Sequence, residues 1–359
     1  MITIDLKGGI GNALFQVFAA ISTGIRTGHD VKFMYHPETV DNPRPPHWND
    51  VFRNIRDTHT VTHIELMDRD ISIINHGKCQ YKPVDVPKNT GKSDKRLFIL
   101  SGCFQTDKYF HTEFVTVSKL LGISDMQSQI MAKIRFDGEV GTACTTSDNI
   151  HIVVPQNVSF EHSIGMHFRL GDYKIYSHCH PVLPYDYYRN SLRFMLNRKF
   201  GEGEWSCTSS IWVMYFCDEE DIEFIQETII PLLVSEFPEV SFLRMSHKNI
   251  SDWDQLLLMS LCTHNIIANS TFSWWAGYIN AHSPDVEARR LALIMPRTSA
   301  SGDACLTRCT EKLVCFPRLW VGPSMPLNTS DICPREWYCI DEHPDNFAPI
   351  PDEEQLFYF

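Results

Sequence analysis

The sequence predicts an α/β protein built on parallel sheets, because apolar strands alternate with helices along much of the 359-residue chain. The clearest alternation has strands at 163–168, 211–216 and 265–268, and helices are expected after the second and third of them. The chain also opens with a short strand at 2–6, which enters a glycine-rich turn and then a helix to about Thr27. Parallel strands require such crossovers, so we expect helices on both faces of the sheets.

Further elements complete this pattern. The proline-rich stretch 41–49 leaves no room for helix or sheet and predicts a loop. The polar, turn-rich stretch 138–160 predicts a junction between two domains, residues 1–155 and 156–359, a number that the length favours. The other predicted elements are strands at 31–35, 97–100 and 291–295 and helices from Glu219, from Asp252 to Cys262 and from Thr271.

Charge and hydropathy exclude several classes of partner. The formal net charge is -12, from 32 basic and 44 acidic residues, which argues against nucleic acid or an anionic membrane surface. No apolar run is long enough to span a bilayer, and the N-terminus lacks a signal pattern. We therefore expect a soluble, unexported protein without a transmembrane segment that acts in the cytoplasm.

The 12 cysteines are spread along the chain, so most are expected to be reduced core residues. A denser group near the C-terminus has no CxxC pair, which makes a zinc site less favoured there than disulfides. Its members are Cys305, Cys309, Cys315, Cys333 and Cys339.

The stretch HFRLGDY at 167–173 is the most informative one, because it follows an apolar strand at the point where α/β proteins place ligand groups. Arg169, beside a turn glycine and Asp172, is a candidate anion clamp, since a guanidinium can donate two hydrogen bonds to a phosphate. The alternative is a strand-end turn in which Arg169 and Asp172 only pair with each other.

Four segments in this order resemble the α-1,2-fucosyltransferases of glycosyltransferase family 11. They are GGIGNALFQ at 8–16, HFRLGDY at 167–173, FCDE at 216–219 and NSTFSWW at 269–275, and GCFQTDKYF at 102–110 is a further similar stretch. Ala13 and Leu170 depart from the family pattern, which often has Gln and a second Arg there.

The resemblance implies a GT-B-like fold, with two Rossmann-like domains facing a cleft. It implies an acceptor-side domain at 1–155 and a donor-binding domain at 156–359, and an inverting, metal-independent transfer of L-fucose from GDP-β-L-fucose to a glycan hydroxyl. No cofactor beyond the GDP-sugar donor is expected. Arg169 takes the position of the arginine tied to the donor phosphate, and the resemblance supports Asp218 as an acceptor for guanine N–H groups; helix capping is its alternative role.

Other candidate site residues come from local chemistry. Asn269, Ser270, Thr271 and Ser273 lie where a strand ends and a helix begins, so their polar groups can seat an anion or simply cap the helix. His167 shares a strand face with Arg169 and either lines the donor pocket or packs in the core.

The glycine turn near the N-terminus has a different expected role. Gly9 and Asn12 are expected to let substrate approach the backbone, because Leu14 occupies the third position of the dinucleotide fingerprint, where Gly or Ala is needed.

An inverting transfer also needs a general base. Asp172 is the nearest candidate, although a carboxylate that braces Arg169 would have the same sequence signature; His178 and His180 are alternatives. The acidic run at 218–221 could bind a metal, but acids are favoured in a first helical turn by the helix dipole alone, so no metal ligand is assigned. Asp68-x-Asp70 and Asp252-x-Asp254 follow no recognisable strand.

The resulting hypothesis is a fucosyltransferase that forms an α-1,2 linkage. Two alternatives stay open: transfer from another GDP-sugar or to another linkage, and a non-catalytic glycan-binding relative, which the departures at Ala13 and Leu170 suggest.

Overall fold

The structure is a computed structural model. It describes residues 1–35, 47–61, 69–76, 80–91, 94–136, 142–146, 149–158, 160, 163–200, 211–282, 312–317, 320 and 329–340.

The strands are short and the helices are of moderate length. The strands are β1 (Ile2–Ile4), β2 (Phe33–Met34), β3 (Thr60–Val61), β4 (Asp70–His76), β5 (Arg96–Gly102), β6 (Ile134–Phe136), β7 (Thr142–Thr146), β8 (Asn149–Val154), β9 (Ser163–His167), β10 (Ile211–Phe216), β11 (Val240–Arg244), β12 (His264–Ile266), β13 (Val314–Pro317) and β14 (Tyr338–Ile340). The helices are α1 (Ile10–Thr27), α2 (Arg53–His59), α3 (Phe114–Leu121), α4 (Ile123–Ala132), α5 (Tyr185–Phe200), α6 (Ile222–Phe224), α7 (Ile230–Glu236), α8 (Asp252–Leu261), α9 (Thr271–His282) and α10 (Thr329–Ile332), and a π-helical turn at Ile225–Ile229 joins α6 to α7.

The chain divides into two compact units. Unit 1 comprises Met1–Met126 with Pro326–Pro334, and unit 2 comprises Gln127–Met325 with Arg335–Phe359. The predicted junction at 155/156 therefore lies inside unit 2. The reason is that residues before the predicted junction contact residues that follow it: Gln127 Nε2 donates to Ser260 Oγ at 2.8 Å, and Lys133 Nζ donates to Asp254 Oδ2 at 3.2 Å.

Unit 1 is built around a parallel sheet with the strand order β1-β5-β4. On the other side of β1, Val31 forms an isolated parallel bridge with Ile2. Because the chain continues first to one side of β1 and later to the other, the strand order reverses between β1 and β5. Apolar residues of α1 pack beside this sheet, and Leu14, Phe15 and Phe18 are fully buried.

Unit 2 is built around a six-stranded parallel sheet with the order β11-β10-β9-β12-β13-β14. The chain leaves β9 for β10 and β11 on one side and returns to β12 on the other, so the strand order reverses between β9 and β12. All six residues of β10 are buried, as expected of a central parallel strand covered on both faces. The predicted α/β class with parallel sheets is confirmed.

The stretch 138–160 is not the irregular junction that was predicted. It contains β7 and β8, which pair antiparallel, while β6 pairs parallel with β8. The apolar run at 150–154 forms most of β8, and the polar residues around it obscured this strand in the sequence.

Some sequence predictions fall outside the described residues: the strand at 291–295, most of the proline-rich loop, and Cys305 and Cys309. Within the described part, Cys315 is fully buried as a free thiol, and burial raises its pKa. No helix among the described residues is long and apolar enough to cross a membrane.

Candidate active site

The predicted site residues of unit 2 meet at the carboxyl edge of its sheet. Arg169 follows β9, Asp218 follows β10 and Asn269 follows β12. β9 lies between the other two strands and pairs in parallel with both. We name these segments the arginine loop (167–173), the acidic turn (218–221) and the serine loop (269–273). The strand order reverses between the first and the last, and ligands of open α/β sheets bind outside the carboxyl ends of the strands at such a point.

Arg169 is held by two carboxylates. Its Nη1 donates to Asp218 Oδ2 at 2.5 Å and its Nη2 donates to Asp172 Oδ1 at 2.7 Å. Its Nε is buried and has no hydrogen-bond partner. The guanidinium also lies over the Tyr173 ring, 5.2 Å from the centroid. The predicted pairing of Arg169 with Asp172 is therefore present, and Asp218 is a second partner.

The pKa values reflect this partly buried cluster. Burial opposes the charge of Arg169, but Asp218 and Asp172 outweigh it and raise the pKa of the guanidinium. Burial also raises the pKa of Asp218, against the opposing effect of Arg169. Burial thus disfavours the charged form of Asp218, although the guanidinium lies beside it.

A contact that sequence reasoning missed joins the acidic turn to the arginine loop. Asp221 is fully buried, and its Oδ2 accepts from the backbone N–H of Gly171 at 2.7 Å while its Oδ1 accepts from Lys174 Nζ at 2.5 Å. Gly171 has φ +28°, and a Cβ at that position would lie 2.7 Å from Asp218 Oδ2. The acidic turn thus contacts the backbone of the arginine loop directly at Gly171.

Tyr173 connects the arginine loop to the serine loop. Its hydroxyl donates to the backbone carbonyl of Asn269 at 3.0 Å, and its ring stacks on His180 with centroids 4.8 Å apart. Burial raises the pKa of Tyr173 to about 12, so the hydroxyl keeps its proton at neutral pH. Burial lowers the pKa of His180.

The serine loop is set by hydrogen bonds from its first residue. Asn269 Nδ2 donates to the carbonyls of Pro181 at 2.8 Å and Trp320 at 3.3 Å, while the buried Asn269 Oδ1 has no partner. Ser270 directly precedes α9 and is buried, Thr271 begins the helix, and Ser273 Oγ donates back to the carbonyl of Ala268 at 3.3 Å. The side chain of Ser273 is therefore already used within the loop.

His167 ends β9 with its ring buried against Phe272, at a centroid distance of 5.0 Å. Its Nδ1 is buried without a hydrogen-bond partner. Burial lowers its pKa to about 3, so the imidazole is neutral at physiological pH. Its contact with the Phe272 ring fits the packing role named above, and its unpartnered nitrogen fits a place in the donor pocket.

Metal binding finds no geometric support among the described residues, where no three His, Cys, Asp or Glu side chains are arranged to hold an ion. Asp252 and Asp254 lie in the first turn of α8, whose N-cap Ser251 accepts from the backbone N–H of Asp254. Their spacing is therefore that of a capped helix. Asp68 lies outside the described residues.

The carboxyl edge of the unit 1 sheet carries Gly9 and Asn12. Gly9 precedes α1 with an ordinary φ of -76°, and a Cβ there would meet nothing within 4 Å. Gly8 has φ +87° and is the residue of this turn whose backbone requires glycine. Asn12 Oδ1 accepts from Gln105 Nε2 at 2.8 Å, which connects the first turn of α1 to the loop after β5.

The loop after β5 is strained. Phe104 is buried with φ +55°, a left-handed conformation that is rare for a bulky residue. Gly102 precedes it, and a Cβ there would lie 2.8 Å from the carbonyl oxygen of His76. Packing of the Phe104 ring against the rings of Tyr109 and His76 stabilises this strained conformation.

A small concavity lies at the end of β11, one strand beyond β10. It is lined by Ile152, Val153, Arg244, Met245, Ser246, His247 and Ile250. None of the predicted site residues lines it, although Ser246 Oγ accepts from the backbone N–H of Cys217, next to Asp218.

Comparison with known proteins gives a family for the centre of the chain. Residues 152–285 match the model of Glycosyl transferase family 11. This range contains the arginine loop, the acidic turn and the serine loop, and the match confirms the resemblance to this family that the sequence motifs indicated. The chain is also similar to the O-antigen biosynthesis glycosyltransferase WbnK of Escherichia coli, with 26% identity over 292 residues, which are 77% of this chain and 89% of the relative.

Solved structures give weaker similarities. Fucosyltransferase NodZ from Bradyrhizobium matches with 13% identity and a TM-score of 0.38, over 77% of this chain and 92% of that one. The apo form of POFUT1 matches with 11% identity and a TM-score of 0.39, over 79% of this chain and 95% of that one.

Proposed function

We propose that this protein, whose residues 152–285 match glycosyltransferase family 11, transfers L-fucose from GDP-β-L-fucose to a glycan hydroxyl. The transfer inverts the configuration at the anomeric carbon and uses no metal ion. The expected product is an α-1,2 linkage: single displacement on a β-linked donor gives the α configuration, and the family resemblance implies the 1,2 position. Action in the cytoplasm belongs to the same proposal.

The observation that supports it most is the group of buried polar atoms without partners where the strand order reverses. They are His167 Nδ1, Arg169 Nε and Asn269 Oδ1, on the adjacent loops after β9 and β12. Buried polar atoms are rarely left unpaired, because each costs about 1–3 kcal/mol. A ligand with several hydrogen-bonding groups, such as a nucleoside diphosphate, would offer them partners beside the start of α9.

Arg169 would stabilise the leaving diphosphate. The transition state combines an oxocarbenium-like sugar with a leaving group that gains negative charge, and a preorganised donor typically supplies about 3 kcal/mol or more to such a state. Both terminal nitrogens of Arg169 donate to carboxylates, and in this proposal the phosphate takes the place of one of these carboxylates.

Asp218 is the carboxylate expected to leave Arg169. Burial raises its pKa, and it would find new partners in guanine N–H groups, the role that the family resemblance supports. When Asp218 moves from Arg169 to the guanine, the guanidinium becomes free to bind the diphosphate. Recognition of the base would in this way be coupled to binding of the phosphate. Asp172 would then stay on Arg169 as a brace or accept the proton of the acceptor hydroxyl; its present contact fits the first role directly.

The non-catalytic alternative stays open until turnover is measured. Leu170 and Ala13, whose departure from the family pattern suggests it, are both buried, and Leu170 packs in the hydrophobic core of unit 2.

The test is a transfer assay with labelled GDP-L-fucose on a glycan array, run with and without excess EDTA and alongside a panel of other GDP-sugars. We expect transfer from GDP-fucose, an α-1,2-linked product and less than about a twofold effect of EDTA. Loss of activity to EDTA with rescue by Mn²⁺ would contradict metal independence, and selective use of another GDP-sugar would change the donor. Glycan binding without turnover of any donor would make the protein a binding relative.

A further inference from the structure

Asp221 differs from its neighbours on the acidic turn. Glu219 and Glu220 are exposed, whereas Asp221 is fully buried and has an exposed fraction of 0%. A carboxylate that served only the helix dipole could stay in water, as those two do. Burial of a charge is costly unless the charge is paired and hydrogen-bonded, so the contacts of Asp221 need an explanation.

Those contacts point into the arginine loop. One carboxylate oxygen accepts from the backbone N–H of Gly171 and the other from Lys174 Nζ, which is half exposed. Gly171 lies between Arg169 and Asp172, which form an ion pair with each other. Fixing the amide of Gly171 therefore fixes the turn that sets the direction of both side chains.

The same turn contacts the loop at a second point. Asp218 accepts from Arg169 Nη1, and the backbone N–H of Asp221 donates to the carbonyl of Asp218 at 3.0 Å. A single short turn after β10 thus holds the guanidinium through Asp218 and the backbone through Asp221.

We propose that Asp221 is a positioning residue: by accepting the Gly171 N–H it holds Arg169 and Asp172 in the geometry needed for transfer. This inference rests on the proposed function for its kinetic consequence. Asp221 itself touches no substrate. It acts through the backbone of the arginine loop, and its charge matters less than its oxygen.

Three variants separate the oxygen from the charge. Asp221→Ala removes the acceptor, Asp221→Asn keeps an oxygen for Gly171 but loses the charge, and Lys174→Met removes the ion pair but keeps the Gly171 bond. Asp186→Ala on α5 is the control, since Asp186 forms a comparable but half-exposed pair with Arg189. For each variant, kcat, donor KM, GDP affinity, thermal unfolding and exchange of the Gly171 amide proton are measured.

We expect Asp221→Ala to lower kcat about 100-fold, because a displacement of about 1 Å can cost that much. Donor KM should rise less than about tenfold, and the Gly171 amide should exchange at least about tenfold faster. Asp221→Asn and Lys174→Met should keep kcat within about tenfold of wild type, and Asp186→Ala should change none of these quantities.

The proposal is wrong if Asp221→Ala keeps kcat near wild type, if Asp221→Asn is as inactive as Asp221→Ala, or if exchange at Gly171 does not change. Should Asp221→Ala fail to fold, Asp221→Asn and Lys174→Met decide. Activity in both supports a role for the carboxylate oxygen that accepts from Gly171, and inactivity in both shows that the charge of Asp221 is what matters. A wild-type chain that transfers no sugar refutes the proposed function instead, and Gly171 exchange and GDP affinity still decide on Asp221.

Discussion

The two sheets differ in the chemistry of their carboxyl edges. In unit 1 the start of α1 and the loop after β5 are joined by an amide pair, Asn12 with Gln105. In unit 2 the loops after β9 and β10 are joined by charged groups, since Asp218 binds the Arg169 guanidinium and Asp221 binds Lys174. Neutral amides suit the hydroxyls of a saccharide, whereas an arginine with unpartnered polar atoms beside it suits an anion. The comparison supports a donor edge in unit 2 and an acceptor edge in unit 1.

The largest effect is expected from Arg169→Lys. A lysine keeps the charge but cannot replace the planar fork between Asp218 and Asp172, so kcat should fall about 100- to 1000-fold. Steady-state kinetics with GDP-fucose measure this. Arg189→Lys, at the ion pair on α5, is the control and should stay near wild type. Normal turnover of Arg169→Lys would show that the Arg169 guanidinium has no specific role in transfer.

A matched pair of glycine variants compares the two edges directly. Gly171→Ala should lower kcat about 100-fold, because its Cβ would lie 2.7 Å from Asp218 Oδ2 and displace that carboxylate from Arg169. Gly9→Ala should leave the unfolding midpoint within about 2 °C of wild type, because its Cβ meets no protein atom within 4 Å.

The kinetics of Gly9→Ala then report on the substrate. We expect acceptor KM to rise about tenfold, roughly 1.4 kcal/mol, as a methyl group intrudes on the approach of the glycan. An unchanged acceptor KM would mean that no substrate approaches Gly9, and a raised donor KM would move the donor to unit 1.

His167 gives the charged edge a dependence of stability on pH. Its folded pKa of about 3 lies below the unfolded value of 6.5, so the unfolded chain binds the proton first and stability is lost as pH falls below about 6.5. Between pH 7 and pH 5 the free energy of unfolding should fall by about 2 kcal/mol through this group.

Urea unfolding at both pH values tests this, with His167→Gln expected to lose that part of the dependence. His111→Gln, at an exposed histidine of unit 1, should keep it. Equal pH dependence in wild type and His167→Gln would show that folding does not shift the pKa of His167.

GDP should protect one edge from hydrogen exchange more than the other. We expect amides at 167–172 and 269–274 to exchange about tenfold more slowly with GDP bound, and those at 8–16 to change less. Exchange followed by mass spectrometry on the full chain measures this. Protection confined to 8–16 would assign the nucleotide to the glycine turn and reverse the comparison.

Regular elements with strong periodicity were predictable from the sequence. Three predictions agree with the structure: the strand at 211–216, the end of α1 at Thr27 and the start of α9 at Thr271. Buried apolar runs and the glycine or polar residues beside them determine these features locally. β4 escaped prediction although it begins with alternating polar and apolar residues; Ile71 and Ile73 are exposed, so this alternation does not mark a buried face.

The site was predictable as a set of loops but not as a set of contacts. Sequence order placed Arg169, Asp218 and Asn269 at strand ends, and parallel pairing brought the loops together. Asp221 looked like an acid in a first helical turn, because its bond to Gly171, 50 residues away, depends on tertiary structure alone. The left-handed Phe104 had no local signal either, since glycine or asparagine would normally occupy such a position.

The short segment 326–334 has a consequence for cutting or recombining this protein. It belongs to unit 1, where Asp331 accepts from the backbone N–H of Tyr81 and from Lys108, yet the residues on both sides of it belong to unit 2. A proteolytic nick after Met126 would leave the two fragments attached through this segment. A chimera with a relative must therefore join the chains at three places, near 126, 325 and 334, and a single crossover would leave unit 1 without its last piece.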